Sequence, residues 1–200
     1  YWWDDAPVLP KLIVRSLPPK ADVVVVGSGY TGLSAARILA LRGVNVVVLE
    51  KETFGWGASS RNGGQVLTGL KLVPSALIKK VGLERAKEWY ALSHTAIKYV
   101  EDLIEEENIH CEYTRSGHIE AAWKNSHFKQ YRREQEVLAR EFNHPVTLLD
   151  RKEQARELGT QYYCGLLIDE RSGALHPARF VHGLAICASA SGALLFENTP

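Results

Sequence analysis

Residues 21–50, ADVVVVGSGYTGLSAARILALRGVNVVVLE, constrain the fold more than any other part of this chain. Val23–Val26 form a β-branched run suited to a parallel strand buried on both faces. Gly27, Gly29 and Gly32 follow it directly in G-x-G-x-x-G spacing. Gly27 permits the tight turn, Gly29 leaves room for a pyrophosphate beside the backbone, and Gly32 lets a helix lie close on the strand. Gly27, Ser28, Gly29, Tyr30, Thr31 and Gly32 are therefore a candidate anion site. Their free N–H groups and the positive end of the helix dipole attract a diphosphate without a lysine or arginine. The helix runs from Thr31 to about Leu41, with Leu33, Ala36, Ile38 and Leu39 largely toward a sheet and Arg42-Gly43 as its stop. Val44 to Leu49 supply a second strand ending in Glu50, about twenty residues beyond the glycines, where a carboxylate can accept hydrogen bonds from both hydroxyls of a ribose. Glu50 also repels a 2′-phosphate, which disfavours NADP, although Lys51 beside it leaves that preference open. A lone glycine motif is a weak signal; with strand, helix, second strand and acid all in register it points to a dinucleotide. These thirty residues do not separate NAD from FAD.

The chain has 200 residues, 46% of them hydrophobic and 24% charged, which is the balance of a soluble globular protein of one domain or two small ones. A net charge of +1 gives no electrostatic footprint for nucleic acid, and the pairs Lys79-Lys80 and Arg132-Arg133 read as solvated helix faces. Cys111, Cys164 and Cys187 form neither a C-x-x-C nor an even set, so a reducing cytoplasm is the simplest compartment. The longest apolar stretch, residues 183–196, is too short and too interrupted to span a membrane, and no secretory signal is visible. There is no methionine, and Tyr1 and Asn198-Thr199-Pro200 read as cut ends, which predicts a fragment.

Residues 1–20, with Pro7, Pro10, Pro18, Pro19 and an aromatic opening, read as an extended arm whose tryptophans pack on the domain. After the second strand comes Phe54-Gly55-Trp56-Gly57-Ala58-Ser59-Ser60-Arg61-Asn62-Gly63-Gly64-Gln65. Ala86, Trp89, Leu92, Ala96, Ile97, Val100, Leu103 and Ile104 recur at helical steps and define a long amphipathic helix from Leu83 to about Glu107, with the acids from Glu101 to Glu107 facing water. Residues 111–113 and 118–123 flank a turn at Arg115-Ser116-Gly117 and read as an antiparallel hairpin, hence another domain. A helix from Ser126 to Phe142, with Ser126 as N-cap, a short helix capped by Asp150 and a strand pair around 165–169 follow. Pro177 opens a helix to about Ala190, and Ala193 to Glu197 return to the first sheet. The expected fold is α/β: a Rossmann-type nucleotide-binding domain (21–108 and 176–200) with an inserted α+β substrate domain (109–175), truncated at the C-terminus.

Three stretches resemble the FAD-dependent oxidoreductases of the D-amino-acid-oxidase superfamily, the group containing glycine and sarcosine oxidases, and most of all its gamma-glutamylputrescine-oxidase-like members. They are VVVVGSGYTGLSAARILA, VVVLEKETFGWGASSRNGGQV, and SGALHPARFVHGLA followed by GALLFENT. The middle stretch is the specific one, since an NAD dehydrogenase has no reason to follow its second strand with GWGASSRNGGQ. Small residues there let backbone approach an extended cofactor and offer N–H donors. The resemblance implies that Gly57, Ala58, Ser59, Ser60, Arg61, Asn62, Gly63, Gly64 and Gln65 pass along the diphosphate, ribityl chain and ring of FAD. Some relatives carry at the place of Arg61 a histidine bonded covalently to the flavin; arginine cannot make that bond, which implies non-covalent FAD.

The resemblance further implies oxidation of an amine or amino acid by hydride transfer from the C–H next to nitrogen to the flavin. The imine is hydrolysed by water, and oxygen commonly reoxidises the flavin with release of hydrogen peroxide. The cofactor carries the redox step, so no side-chain nucleophile need appear, and no G-x-S-x-G elbow does. His176 before Pro177 is a candidate substrate contact but reads better as a helix boundary. No two histidines share a helical face for metal, His176 and His182 being six apart. An NAD-dependent dehydrogenase and a non-catalytic nucleotide-binding module are the alternatives. Because a doubly wound sheet needs further strands, the 200 residues alone are expected to hold FAD poorly and to be inactive.

Overall fold

The computed structural model describes residues 1–6, 9 and 16–200. In chain order its first elements are α1 (Trp2–Asp5), β1 (Val23–Val26), α2 (Tyr30–Leu41), β2 (Val46–Leu49), β3 (Gln65–Val66), α3 (Pro74–Val81) and α4 (Leu83–Glu106). There follow β4 (His118–Ala121), α5 (Asn125–Phe142), β5 (Thr147–Asp150), α6 (Ala155–Leu158), β6 (Gly165–Asp169), β7 (Gly173–Ala174), α7 (Pro177–Ala190) and β8 (Leu194–Phe196). They fall into two compact units: residues 1–64, 103–113 and 175–200, and residues 65–102 and 114–174.

The first unit is built on a parallel sheet of order β1-β2-β8, with Val23 opposite Val46 and Val47 opposite Leu194. Val46, Val47 and Val48 of the central strand are buried, as the unbroken β-branched run requires. α2 turns Leu33, Ala36 and Ala40 inward and packs against α7, whose Ala178, Val181, Leu184, Ala185 and Ala188 are buried. The small residues on both helices let the two backbones come close. Val24 and Val26 on the edge strand β1 are exposed, Val26 at 86%. The acidic stretch that ends α4 does not simply face water: Glu107 pairs with the buried guanidinium of Arg37 on α2. A buried arginine needs such a carboxylate.

The expected extended arm is corrected at its start. Trp2–Asp5 form a helical turn, and Ala6 after it is extended (φ −82°, ψ 135°), as the residue before a proline prefers. Pro7 and Pro10 of that arm lie outside the described residues.

The second unit holds a three-stranded antiparallel sheet of order β4-β6-β5, and a short β3-β7 pair. Tyr90 of α4, Leu138 of α5, Val146 and Leu167 form its apolar centre, with Tyr131, Phe142 and Leu148 packed on it. The hairpin expected between residues 111–113 and 118–123 does not form. β4 pairs with β6 instead, His118 opposite Asp169, while Thr114 bridges Ala174. The turn at 115–117 redirects the chain to these distant partners, and an alternating pattern cannot name a strand's neighbour. α5 starts one residue earlier than Ser126, with Lys124 at its N-cap and no side-chain cap. Asp150 does accept from the backbone N–H groups of Lys152 and Glu153 (2.7 and 3.2 Å), but the helix beyond it is only Ala155–Leu158.

The units also divide the chain differently from the expected bounds, since residues 65–102 belong with 114–174. α4 is one continuous helix whose pattern carries no break, so no change of composition marks the crossing. Its Ala86, Ile97 and Leu103 are buried, whereas Trp89 and Leu92 of the predicted apolar stripe are exposed. Among the described residues no helix is long and apolar enough to cross a membrane.

Candidate cofactor site

The first unit brings the sequence-predicted residues together around the N-terminus of α2. Gly27 follows β1 with φ +93°, a backbone conformation that L side chains rarely adopt, and a Cβ built there meets none of the described residues within 4 Å. Gly32 has the opposite constraint: a Cβ would sit 2.1 Å from the Gly27 carbonyl oxygen, so only glycine lets α2 lie this close to the turn. Gly29 is the N-cap of α2, with no side-chain cap of its own.

Glu50, at the end of β2, reaches across to the turn. The Ser28 N–H and hydroxyl both donate to Glu50 Oε2 (2.9 and 2.7 Å), and the Glu52 N–H donates to Oε1 (3.0 Å). Ser28 in turn accepts from the Gly55 N–H at 2.9 Å. Burial alone would raise the Glu50 carboxyl, but these donors and the Lys51 N–H outweigh it and hold the group below the usual glutamate range. It is thus an ionised acceptor fixed beside the glycine turn. Lys51 itself is exposed and points its ammonium to Glu52, 4.0 Å away.

The second glycine-rich run folds back over the same helix N-terminus. Ala58–Ser60 form a single 3-10 turn. Ser59 Oγ accepts from the Tyr30 N–H at 3.0 Å. The Asn62 side chain donates to the Ala58 and Ser59 carbonyls (3.1 Å each) and accepts from the Gly64 N–H (2.8 Å), which closes the loop on itself. Arg61 lies over the Trp56 ring, 4.1 Å from its centroid, a cation–π contact. Gly57, Ala58, Arg61, Asn62 and Gly63 are exposed. Gly57 has open space where a Cβ would stand, whereas a Cβ on Gly64 would strike the Leu175 carbonyl at 2.1 Å, so Gly64 serves the passage of the chain. Gln65 lies in the second unit, paired with Ala174.

Side chains of α2 and α7 complete this surface. The Tyr30 phenol, pushed up by burial, donates to the Pro177 carbonyl at 3.3 Å and stacks near Phe180. His176 is the N-cap of α7, its Nδ1 accepting from the Arg179 N–H at 3.2 Å, which is the boundary role its place before Pro177 suggests. The Cys111 and Cys187 thiols are buried and pushed up to about 11, hence protonated at neutral pH.

A family profile described as FAD dependent oxidoreductase matches residues 22–200. The chain belongs to this family. It is 34% identical, over its whole length and 47% of the relative's, to the probable oxidoreductase OrdL of Rhizobium meliloti (strain 1021). It is 33% identical to the gamma-glutamylputrescine oxidoreductase of Escherichia coli (strain K12), covering 88% of this chain and 41% of that protein. The crystal structure of glycine oxidase from Geobacillus kaustophilus superimposes with a TM-score of 0.73 at 26% identity, over 89% of this chain and 46% of that one. The chain thus spans about half the length of the curated relatives it matches. The cofactor of the family is FAD, and the surface offers a glycine turn open at Gly27, an ionised carboxylate beside it, and a loop of small residues above, whereas the room expected beside Gly29 is taken by Ser59 Oγ, 2.9 Å from where a Cβ would stand.

The second unit carries a buried polar cluster of its own. Asp169 accepts hydrogen bonds from the Thr68 hydroxyl, the Ser172 hydroxyl (3.0 Å) and the Arg171 N–H (3.0 Å), and its Oδ1 lies 3.3 Å from His144 Nε2. Burial pulls its carboxyl up, and those partners, His144 first, hold it well below the ordinary range. Tyr90 beside them is pushed up to about 12 by burial. A cavity of about 330 Å³ opens here, lined by Tyr90, Tyr131, Glu134, His144 and Asp169 among others.

Proposed function

We propose that the protein is an FAD-dependent oxidoreductase that oxidises a C–N bond of an amine or amino acid. The convergence of the glycine turn, the Glu50 carboxylate and the 57–64 loop within one unit supports this most directly. In this reading Gly27, Ser28, Gly29, Tyr30, Thr31 and Gly32 take the diphosphate. Glu50, with Lys51 beside it, takes the ribose hydroxyls, and residues 57–65 follow the ribityl chain and ring. FAD bound there supplies the acceptor for a hydride from the carbon next to nitrogen, leaving an imine that water hydrolyses.

The chain's own part is binding and orientation. Glu50 stays ionised at neutral pH and so offers only acceptor oxygens to hydroxyl donors. Ser59 ties the loop to the N-terminus of α2 and Asn62 ties it to itself, and Arg61 cannot make the covalent bond that a histidine at its place makes. The second unit, with its Tyr131, Glu134 and His144 cavity, is assigned to the substrate domain. Oxygen is the electron acceptor in this reading, with hydrogen peroxide as product. Three cysteines without disulfides favour the cytoplasm.

The test is the visible spectrum of the purified full-length protein. Flavin bands at about 370 and 450 nm, bleached anaerobically by an amine or amino acid and restored by air with release of peroxide, are the expected result. Acid precipitation should free all the flavin. A protein without flavin, or a flavin that no amine or amino acid reduces, would overturn the proposal.

A further inference from the structure

The first five residues are tied to the proposed flavin loop by contacts that the functional reading does not use. The Trp2 indole N–H donates to the Asn62 carbonyl at 2.8 Å, and the Trp3 indole N–H donates to Ser60 Oγ at 3.0 Å. The same two rings pack edge-on against His176 and His182 of α7, with centroids 4.8 and 4.9 Å apart. Arg179, one helical turn from His176, donates to the Asp5 carbonyl at 2.9 Å and to its carboxylate at 3.2 Å. The Asp5 carboxylate also lies 3.8 Å from His176 Nε2, a buried nitrogen with no hydrogen-bond partner among the described residues. One turn of helix therefore bridges the loop and the start of α7.

The loop needs such a support. A single 3-10 turn has poor hydrogen-bond geometry and little stability of its own, and Ala58, Arg61, Asn62 and Gly63 are exposed. Ser60, by contrast, is completely buried, and among the described residues its hydroxyl has, besides Trp3, only the Gly57 carbonyl at 3.4 Å. A loop that must be ordered when a ligand binds lowers the affinity by the cost of ordering it, and a loop ordered beforehand does not.

We propose that Trp2, Trp3 and Asp5 form a clasp that pre-orders residues 58–62 for FAD, Trp2 and Trp3 being positioning residues that act through the Asn62 carbonyl and the Ser60 hydroxyl. The clasp rests on the assignment of this loop to the flavin. Its test is FAD affinity, measured by reconstitution of the full-length apoprotein, with the melting temperature of the apoprotein and the absorption band of the bound flavin recorded beside it. Trp3→Phe keeps the ring against His182 but removes the N–H; it should weaken FAD about fivefold, and Trp2→Ala with Trp3→Ala about tenfold or more. In a Ser60→Ala background Trp3→Phe should have no further effect, because the acceptor is already gone. Should the double alanine variant fail to fold, Trp3→Phe and the Ser60 cycle still decide the matter. Wild-type protein that binds FAD while all these variants bind it equally, or Trp3→Phe and Ser60→Ala effects that simply add, would overturn the clasp. Wild-type apoprotein that takes up no FAD at all would instead overturn the flavin assignment, and the clasp with it.

Discussion

The two glycine-rich segments of the first unit occupy the same surface and are held there in different ways. The turn from Gly27 to Gly32 is determined by its own backbone: a positive φ at Gly27, and a carbonyl so close to Gly32 that no side chain fits. From Gly57 to Asn62 the loop is held mainly by side-chain hydrogen bonds, Ser59 accepting from the Tyr30 N–H, Ser60 from Trp3 and the Asn62 carbonyl from Trp2, and only at Gly64 does it meet a backbone constraint like that of Gly32. A backbone-determined element tolerates no substitution at its tight points. A loop shaped by partners can be loosened one partner at a time.

Gly32→Ala should produce the largest effect, because its Cβ can be placed only by moving α2 off the turn. We expect a loss of about 1–3 kcal/mol in stability, from overpacking, and loss of FAD retention, read by thermal melting and by the flavin content of the purified protein. A Gly32→Ala protein with unchanged melting and full flavin would break the distinction between the two segments. Next comes Glu50→Gln, which removes a charged acceptor. Losing about 1.5–3 kcal/mol of charge-assisted hydrogen bonding corresponds to a fall of roughly ten- to a hundredfold in FAD affinity.

The Glu50 variant also carries a pH signature. Because the folded protein depresses the Glu50 carboxyl, its contribution to stability is complete at neutral pH and is lost as pH falls through the folded value. The difference in melting temperature between wild type and Glu50→Gln should therefore be constant near pH 7 and shrink below about pH 4. A difference that grows on acidification would contradict the hydrogen-bonding account.

Smaller still, and more pointed, is Gly57→Ala. With φ −73° and open space at the Cβ position, alanine fits the free protein, so stability should change by less than about 0.5 kcal/mol. FAD affinity should nonetheless drop, since the new methyl group stands where the cofactor is assigned. Equal affinity would remove Gly57 from the cofactor surface. Ser126→Ala should do nothing measurable by thermal melting, because α5 begins before Ser126 and does not use it as a cap.

These expectations follow the boundary between what the sequence states and what it leaves out. Val23 to Glu50 are legible because strand, turn, helix and strand succeed one another locally, and α7 matches its expected span from Pro177 to Ala190 because proline at its start and Ser191-Gly192 at its end punctuate it. The hairpin expected at residues 111–123 fails because pairing partners in an antiparallel sheet can lie some fifty residues away, as His118 and Asp169 do. The crossing between units within α4 leaves no mark, since a helix that changes neighbours keeps one period. Trp2 and Trp3 advertise packing but not their partners. Their hydrogen bonds to Asn62 and Ser60 join residues more than fifty positions apart, and no local pattern encodes that.

The claim that unites these residues is that the surface made by the glycine turn, Glu50 and the 57–64 loop holds FAD rather than a nicotinamide dinucleotide. Titration of the full-length apoprotein with each cofactor, followed by quenching of flavin fluorescence and by calorimetry, tests it directly. Saturable one-to-one uptake of FAD, weakened by Glu50→Gln and by Gly57→Ala, with no heat from NAD, is the predicted result; binding of NAD with no uptake of FAD would contradict it.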